Sequence, residues 1–210
     1  DAEHIERRPR LLLALFALSF SGNRVMATEE PAFQTIMKDG AFEIRDYPSL
    51  IVAEVTVGGD RRAAANEGFR LLAGYIFGGN ISQQRIAMTA PVAQAPVSEK
   101  IAMTAPVLQT GDTDRWVVQF TMPSEYSLET LPQPTNPRVK LLKLPPQQFA
   151  VWRFNGRAGS LEIADETNKL LATIEKRGLR TTGAVTVAQY NAPWVPGFAR
   201  RNEVLLPIER

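Results

Sequence analysis

Histidine and cysteine supply most side-chain nucleophiles, general bases and transition-metal ligands. This 210-residue chain holds one histidine, His4, and no cysteine. It therefore has no disulfide, no thiolate metal site and no cysteine nucleophile. A Ser-His-Asp triad would have to use His4, which lies near the N-terminus. Asp46 and Tyr47 resemble an acid–base pair, but neighbours on a strand point to opposite faces. No nucleophile–base pair, metal cluster or phosphate-binding loop is legible, and no group of Asp and Glu forms a catalytic constellation. The sequence therefore reads as a binding protein rather than an enzyme, with no catalytic and no metal-ligating residues. A net charge of +2 argues against the basic footprint of a nucleic-acid binder. With 44% hydrophobic and 22% charged residues, the composition is that of a globular protein.

Whatever chemistry the chain has must be positioned by its folded elements, and residues 1–27 are not expected to be among them. Arg7, Arg8 and Arg10 precede a ten-residue apolar run at 11–20, and Val25-Met26-Ala27 resembles a small-residue cleavage site. That order reads as a secretory leader, and the run is too short to span a membrane. Two alternatives are a buried N-terminal helix and initiation at Met26, which would keep the product in the cytoplasm. Cleavage after Ala27 removes three acids, four bases and His4, leaving a single domain at 28–210 with net charge +1 and no histidine.

Within that domain, residues 41–47 and 50–57 alternate as strands about a turn at Pro48-Ser49. Apolar residues then recur at helical spacing over 61–77: Ala65, Phe69, Leu72, Ala73 and Ile76. The pattern returns with strands at 138–144 and 148–154 and a helix at 160–176 bearing Leu161, Ala164, Leu170, Leu171 and Ile174. Pro48 aligns with Pro145, and Gly59 with Gly156, at one common offset of 97 residues. Further strands are expected at 116–122, 185–190 and 203–207. The predicted fold is α+β: duplicated strand–strand–helix–strand–strand halves forming a distorted barrel-like sheet with two helices packed on it. A cleft between such halves is a natural ligand site. A shorter repeat, IAMTAPV, occurs at 86–92 and 101–107. It predicts two extended segments, set by Pro91 and Pro106, with Met88 and Met103 packed inward.

FEIRDYP at 42–48, the doubled IAMTAPV, FTMPSEYSLETLPQP at 120–134 and ARRNEVLLPI at 199–208 occur together and in this order. The chain on these motifs resembles the SOUL/haem-binding-protein family, most closely its bacterial secreted members. The resemblance implies a duplicated barrel-like domain, similar to the ligand-binding domain of drug-responsive transcription activators. It implies binding of haem or a related tetrapyrrole in a hydrophobic cleft along the first helix. Transferred to this sequence, the cleft comprises Asn66, Phe69, Ala73 and Phe77, with Trp194 for stacking and Arg70 and Arg200 at the rim for the propionates. Iron would find no histidine in the domain. Tyr75, Tyr190, Met88 and Met103 are the alternatives, or no protein ligand at all.

Each of these residues also has a plainer reading. Phe69, Ala73, Met88 and Met103 fit a core, Trp194 fits local packing, and residues 200–203 fit an internal salt-bridge and turn network. Two other functions stay open: a binding or sensor module for other amphipathic small molecules, and an enzyme acting on a bound tetrapyrrole. The expected location is the periplasm or the exterior, with a tetrapyrrole as partner and neither nucleic acid nor a membrane span. N-terminal sequencing of the protein from its host is expected to read Thr28 first. A chain that retains Met26 or Ala27 would support the cytoplasmic start.

Overall fold

The computed structural model describes residues 28–82, 98–111, 114–191 and 194–210. In chain order the elements are β1 (Gln34–Asp39), β2 (Phe42–Tyr47), β3 (Leu50–Gly58), α1 (Arg61–Ile76), β4 (Asn80–Ile81), β5 (Val107–Gly111) and β6 (Arg115–Thr121). They continue with β7 (Gln133–Pro134), β8 (Lys140–Leu144), β9 (Gln147–Asn155), α2 (Ser160–Lys176), β10 (Thr186–Gln189) and β11 (Arg201–Ile208). Nine strands form one antiparallel sheet in the order β1-β2-β9-β11-β10-β5-β6-β3-β8, while β4 and β7 pair separately. Both helices lie on the same side of the large sheet: α1 over β6 and β3, α2 over β9 and β11.

The duplication is evident in this order. β2-β3-α1-β5-β6 repeats as β8-β9-α2-β10-β11. β3 and β9 have identical lengths and begin and end at matching positions of the sequence repeat. The glycine that follows each, Gly59 and Gly156, has a positive φ of 94° and 136°, a conformation that glycine adopts without steric cost. The halves meet where β5 pairs with β10, and there the Thr110 and Thr186 hydroxyls lie 2.6 Å apart. The two strands on either side of each proline turn, β2 and β3 in one half and β8 and β9 in the other, do not pair with each other. β2 pairs with β9, and β3 with β8, so each half completes its sheet with a strand of the other.

Helix starts follow from local chemistry. Asp60 caps α1, its carboxylate accepting from the Arg62 and Ala63 amides at 2.9 and 3.0 Å. The buried face of α1 is Ala64, Gly68, Leu72, Tyr75 and Ile76. The apolar reading predicted Ala65, Phe69, Leu72, Ala73 and Ile76, a stripe rotated toward the helix side. The cause is Gly68, which hydropathy does not mark as core. It lies directly on Val118, where a Cβ would stand 2.5 Å from Cγ2. α2 buries Ile163, Leu170 and Ile174, whereas Leu161 and Leu171 are exposed.

The second IAMTAPV copy also differs from expectation. Ile101, Thr104 and Ala105 are buried, and Met103 is exposed. Its backbone bonds irregularly, Ile101 N–H to the Ile76 carbonyl and Ala105 N–H to that of Glu29, so strand alternation does not apply. The first copy, with Met88 and Pro91, lies outside the described residues. β1 and β5 were not expected from the sequence.

Gly68→Ala is expected to destabilise the fold by about 1–3 kcal/mol through overpacking against Val118. It should lower the urea midpoint with little change in slope. An unchanged midpoint would show that α1 is not held against β6 at this spacing.

Candidate functional site

Four of the seven expected cleft residues lie on α1, and Phe77 is its C-cap. Asn66 and Arg70 are exposed, Ala73 is half-buried, and Phe69 and Phe77 are 37% and 60% exposed. Phe69 is anchored at its inner edge by Phe120, ring centroids 5.5 Å apart and tilted edge-on. Phe120 pairs with Val107, and Val107 with Gln189 at the end of β10. Phe120, beneath Phe69, thus stands two strand spacings, roughly 10 Å, from the end of β10, where the β10–β11 connection starts. That connection carries Trp194 and Phe198, 85% and 84% exposed. Arg200 braces it, Nε donating to the Val195 carbonyl at 2.8 Å. The Arg200 carbonyl accepts from Gly156 N–H, and Asn202 donates to the Gly156 carbonyl, so the connection is tied to the turn before α2.

The sequence did not mark Arg61, which joins these pieces. Its guanidinium donates to the Ala158 carbonyl at 3.0 Å, linking the start of α1 to the turn before α2. Its Nε is buried without a hydrogen-bond partner. Arg61 and Ala158 occupy equivalent positions of the two halves, so the internal repeat was the signal available for finding them. The start of α1, the turn before α2 and the Trp194 connection therefore form one neighbourhood, with exposed aromatics and arginines.

The iron-ligand alternatives fare differently. Tyr75 is buried and donates its hydroxyl to the Pro132 carbonyl at 2.8 Å. Tyr190 donates to Glu203. Burial raises the pKa of both phenols, which opposes phenolate ligation. Among the described residues no group of His, Cys, Asp and Glu could hold a metal ion. No helix among them is long and apolar enough to cross a membrane.

The opposite, concave face of the sheet encloses a cavity of ≈ 330 Å³. Equivalent positions of the two halves face each other across it: Pro48 and Pro145, Leu50 and Gln147, Val52 and Phe149. The floor is β5, β10 and β11, through residues such as Leu108, Thr186 and Leu205. Among the described residues no charged side chain lines it. The expected cleft between the halves is thus present, but on the side of the sheet away from α1.

Beside this cavity lies a buried ionic network. Arg45, 1% exposed, forks onto Glu203, 0% exposed, with bonds of 2.7 and 2.9 Å. Its Nε donates to Glu43 at 2.7 Å, and its ζ-carbon lies 4.3 Å from the Phe33 ring centre. Glu203 also accepts from Tyr190 and from Arg201, whose guanidinium stacks on the Tyr190 ring and reaches Glu30. Burial alone would raise the Glu203 pKa. The hydrogen bonds and charge of Arg45, with Tyr190 and Arg201, hold it below the usual carboxylate range. Burial pushes the Tyr47 phenol upward. The salt-bridge reading of residues 200–203 describes Arg201 and Glu203 well.

A protein-family model described as SOUL heme-binding protein matches residues 28–207. No curated protein matches the chain. Among solved structures, the EcmrR C-terminal domain is similar over 85% of this chain and 98% of its own, with TM-score 0.56 at 10% identity. A hydrolase from Listeria innocua is similar over 83% of this chain and 94% of its own, with TM-score 0.53 at 15% identity. At these identities the likeness is one of fold.

Removing one partner of the buried pair should be costly, because the other charge stays behind. Arg45→Met is expected to lose about 3–5 kcal/mol near neutral pH, read by urea unfolding. The Glu203 carboxyl is lower in the folded state than in the unfolded one. Its contribution is therefore complete above the ordinary carboxylate range and is lost as pH falls through the lowered value. The gap between wild type and Arg45→Met should narrow in acid. A pH-independent gap would contradict the charge assignment.

Proposed function

Because the chain belongs to the SOUL heme-binding protein family, we propose that it binds haem or a related tetrapyrrole on the helix-bearing side of the sheet. Asn66, Phe69, Ala73 and Phe77 form one wall, Trp194 stacks on the macrocycle, and Arg70 and Arg200 meet the propionates. Arg61 joins them as a cation with an open buried donor. The observation that carries this reading is the exposure of Phe69 and Trp194 on elements tied together through Arg61 and the turn before α2. Flat aromatic walls with guanidinium groups at the edge suit a flat apolar ring carrying two carboxylates.

The sole histidine in the chain is His4, so the domain supplies no imidazole to iron. Binding rests on burial of the ring, at roughly 25 cal/mol per Å² before association costs. The iron when bound adds redox and ligand-exchange capacity, and the residues named here hold and orient the ring. The leader-like residues 1–27 support a site of action in the periplasm or outside the cell.

Haemin and metal-free porphyrin should each give a Soret shift that saturates at one equivalent, with dissociation constants of about micromolar order. The two affinities should agree within a few-fold, since no histidine bond separates them. Phe69→Ala and Trp194→Ala should each weaken both ligands about tenfold, roughly 1.4 kcal/mol. Absence of any spectral change with both ligands would sink the proposal.

A further inference from the structure

We infer that the concave-face cavity is a second ligand site, for a small, neutral, largely apolar molecule bearing one hydrogen-bonding group. It lies across the sheet from the proposed tetrapyrrole face and is independent of it. Its ≈ 330 Å³ is at the lower end of the volumes of small-molecule pockets. A one- or two-ring compound suits it. Among the described residues the lining has no cation to meet the propionates of a haem.

Charge sets the ligand class. Among the described residues no charged side chain lines the cavity. Of the ions nearby, Arg45 pairs with Glu43 and Glu203, Arg201 pairs with Glu203 and Glu30, and the Glu54 carboxylate accepts from Gln119. An ionised ligand would lose its hydration and meet no charged side chain in that lining to offset the loss.

Hydrogen bonding sets the polar group. The Thr110 and Thr186 hydroxyls bond each other at 2.6 Å. Gln119 donates to Glu54 at 2.7 Å, and Gln147 donates to the Ile208 carbonyl at 3.0 Å. Tyr47 and Tyr190 are engaged with Arg45 and Glu203. The Thr110–Thr186 pair is not complete: two hydroxyls sharing one bond leave one hydrogen unused, and both residues belong to the lining. A hydroxyl both donates and accepts, so an alcohol or carbonyl on the ligand would complete the pair.

The probes are naphthol, naphthalene, naphthoate and naphthylmethylammonium, measured by equilibrium dialysis against the full chain. Naphthol is expected to bind at one equivalent, and the two charged analogues at least tenfold more weakly. Leu108→Trp and Leu144→Trp fill the cavity from two half-buried positions. Each should weaken naphthol at least tenfold while the haemin titration and the thermal midpoint are kept. Thr110→Val combined with Thr186→Val should erase the preference for naphthol over naphthalene, a change of about 5- to 10-fold, and leave naphthalene binding intact. The inference is overturned if naphthol does not bind or if either ion binds as tightly. It is equally overturned if Phe69→Ala weakens naphthol and the cavity-filling variants do not.

Discussion

A sheet with both of its helices on one side must dispose of its other side. Antiparallel sheets commonly leave that side polar and wet. Here the alternate residues facing away from the helices include Val52, Leu108, Phe149 and Leu205, and these cannot be left open to solvent. The helix side is already committed to two separate cores, one under α1 and one under α2. Curling the sheet is the remaining way to bury the other side. It brings Val151, Ala188 and Leu205 into a third, smaller cluster, and where the two halves do not meet fully it leaves the cavity. The fold thus produces two dissimilar faces: a convex one with aromatics standing on a helix, and a concave one that encloses space.

The two halves are not equivalent around that space. Positions matching Glu43 and Arg45 in the second half are Lys140 and Leu142, so the buried ionic network exists at one end alone. A buried ion pair adds little net stability over a well-packed apolar substitute. It does penalise misalignment. A one-residue slip of β2 against β9 would carry Arg45 to the α2 side of the sheet, where Phe42 and Ile44 pack among apolar neighbours. The network fixes register and marks one half as chemically distinct.

The internal repeat was the most informative sequence feature. It gave the order of elements, the limits of α2 and both proline turns, because duplicated local chemistry leaves duplicated residues. β1 escaped notice because its six residues are all exposed on a sheet edge, where no hydropathy pattern is imposed. β5 was hidden behind the IAMTAPV repeat, whose irregular backbone broke the alternation that a strand reading relies on. The α1 stripe was misplaced by one glycine. The seven cleft residues came from resemblance to a family, since no local pattern in the sequence separates a binding wall from a core face. The location of the cavity was not legible, since nothing local in β2 or β3 says that each will pair with a strand about a hundred residues away.

That strand exchange has a kinetic consequence. Phe42 meets Trp152, and Leu50 meets Leu144, so neither half can close its own sheet from local contacts. The entropy of closing such long loops must be met before the pairing is rewarded. High contact order of this kind slows folding. A ribosome that has released only the first half leaves one edge of β2 and one edge of β3 without a partner, open to pairing with another chain. The duplicated architecture therefore folds late in synthesis and as one unit, although its sequence looks like two.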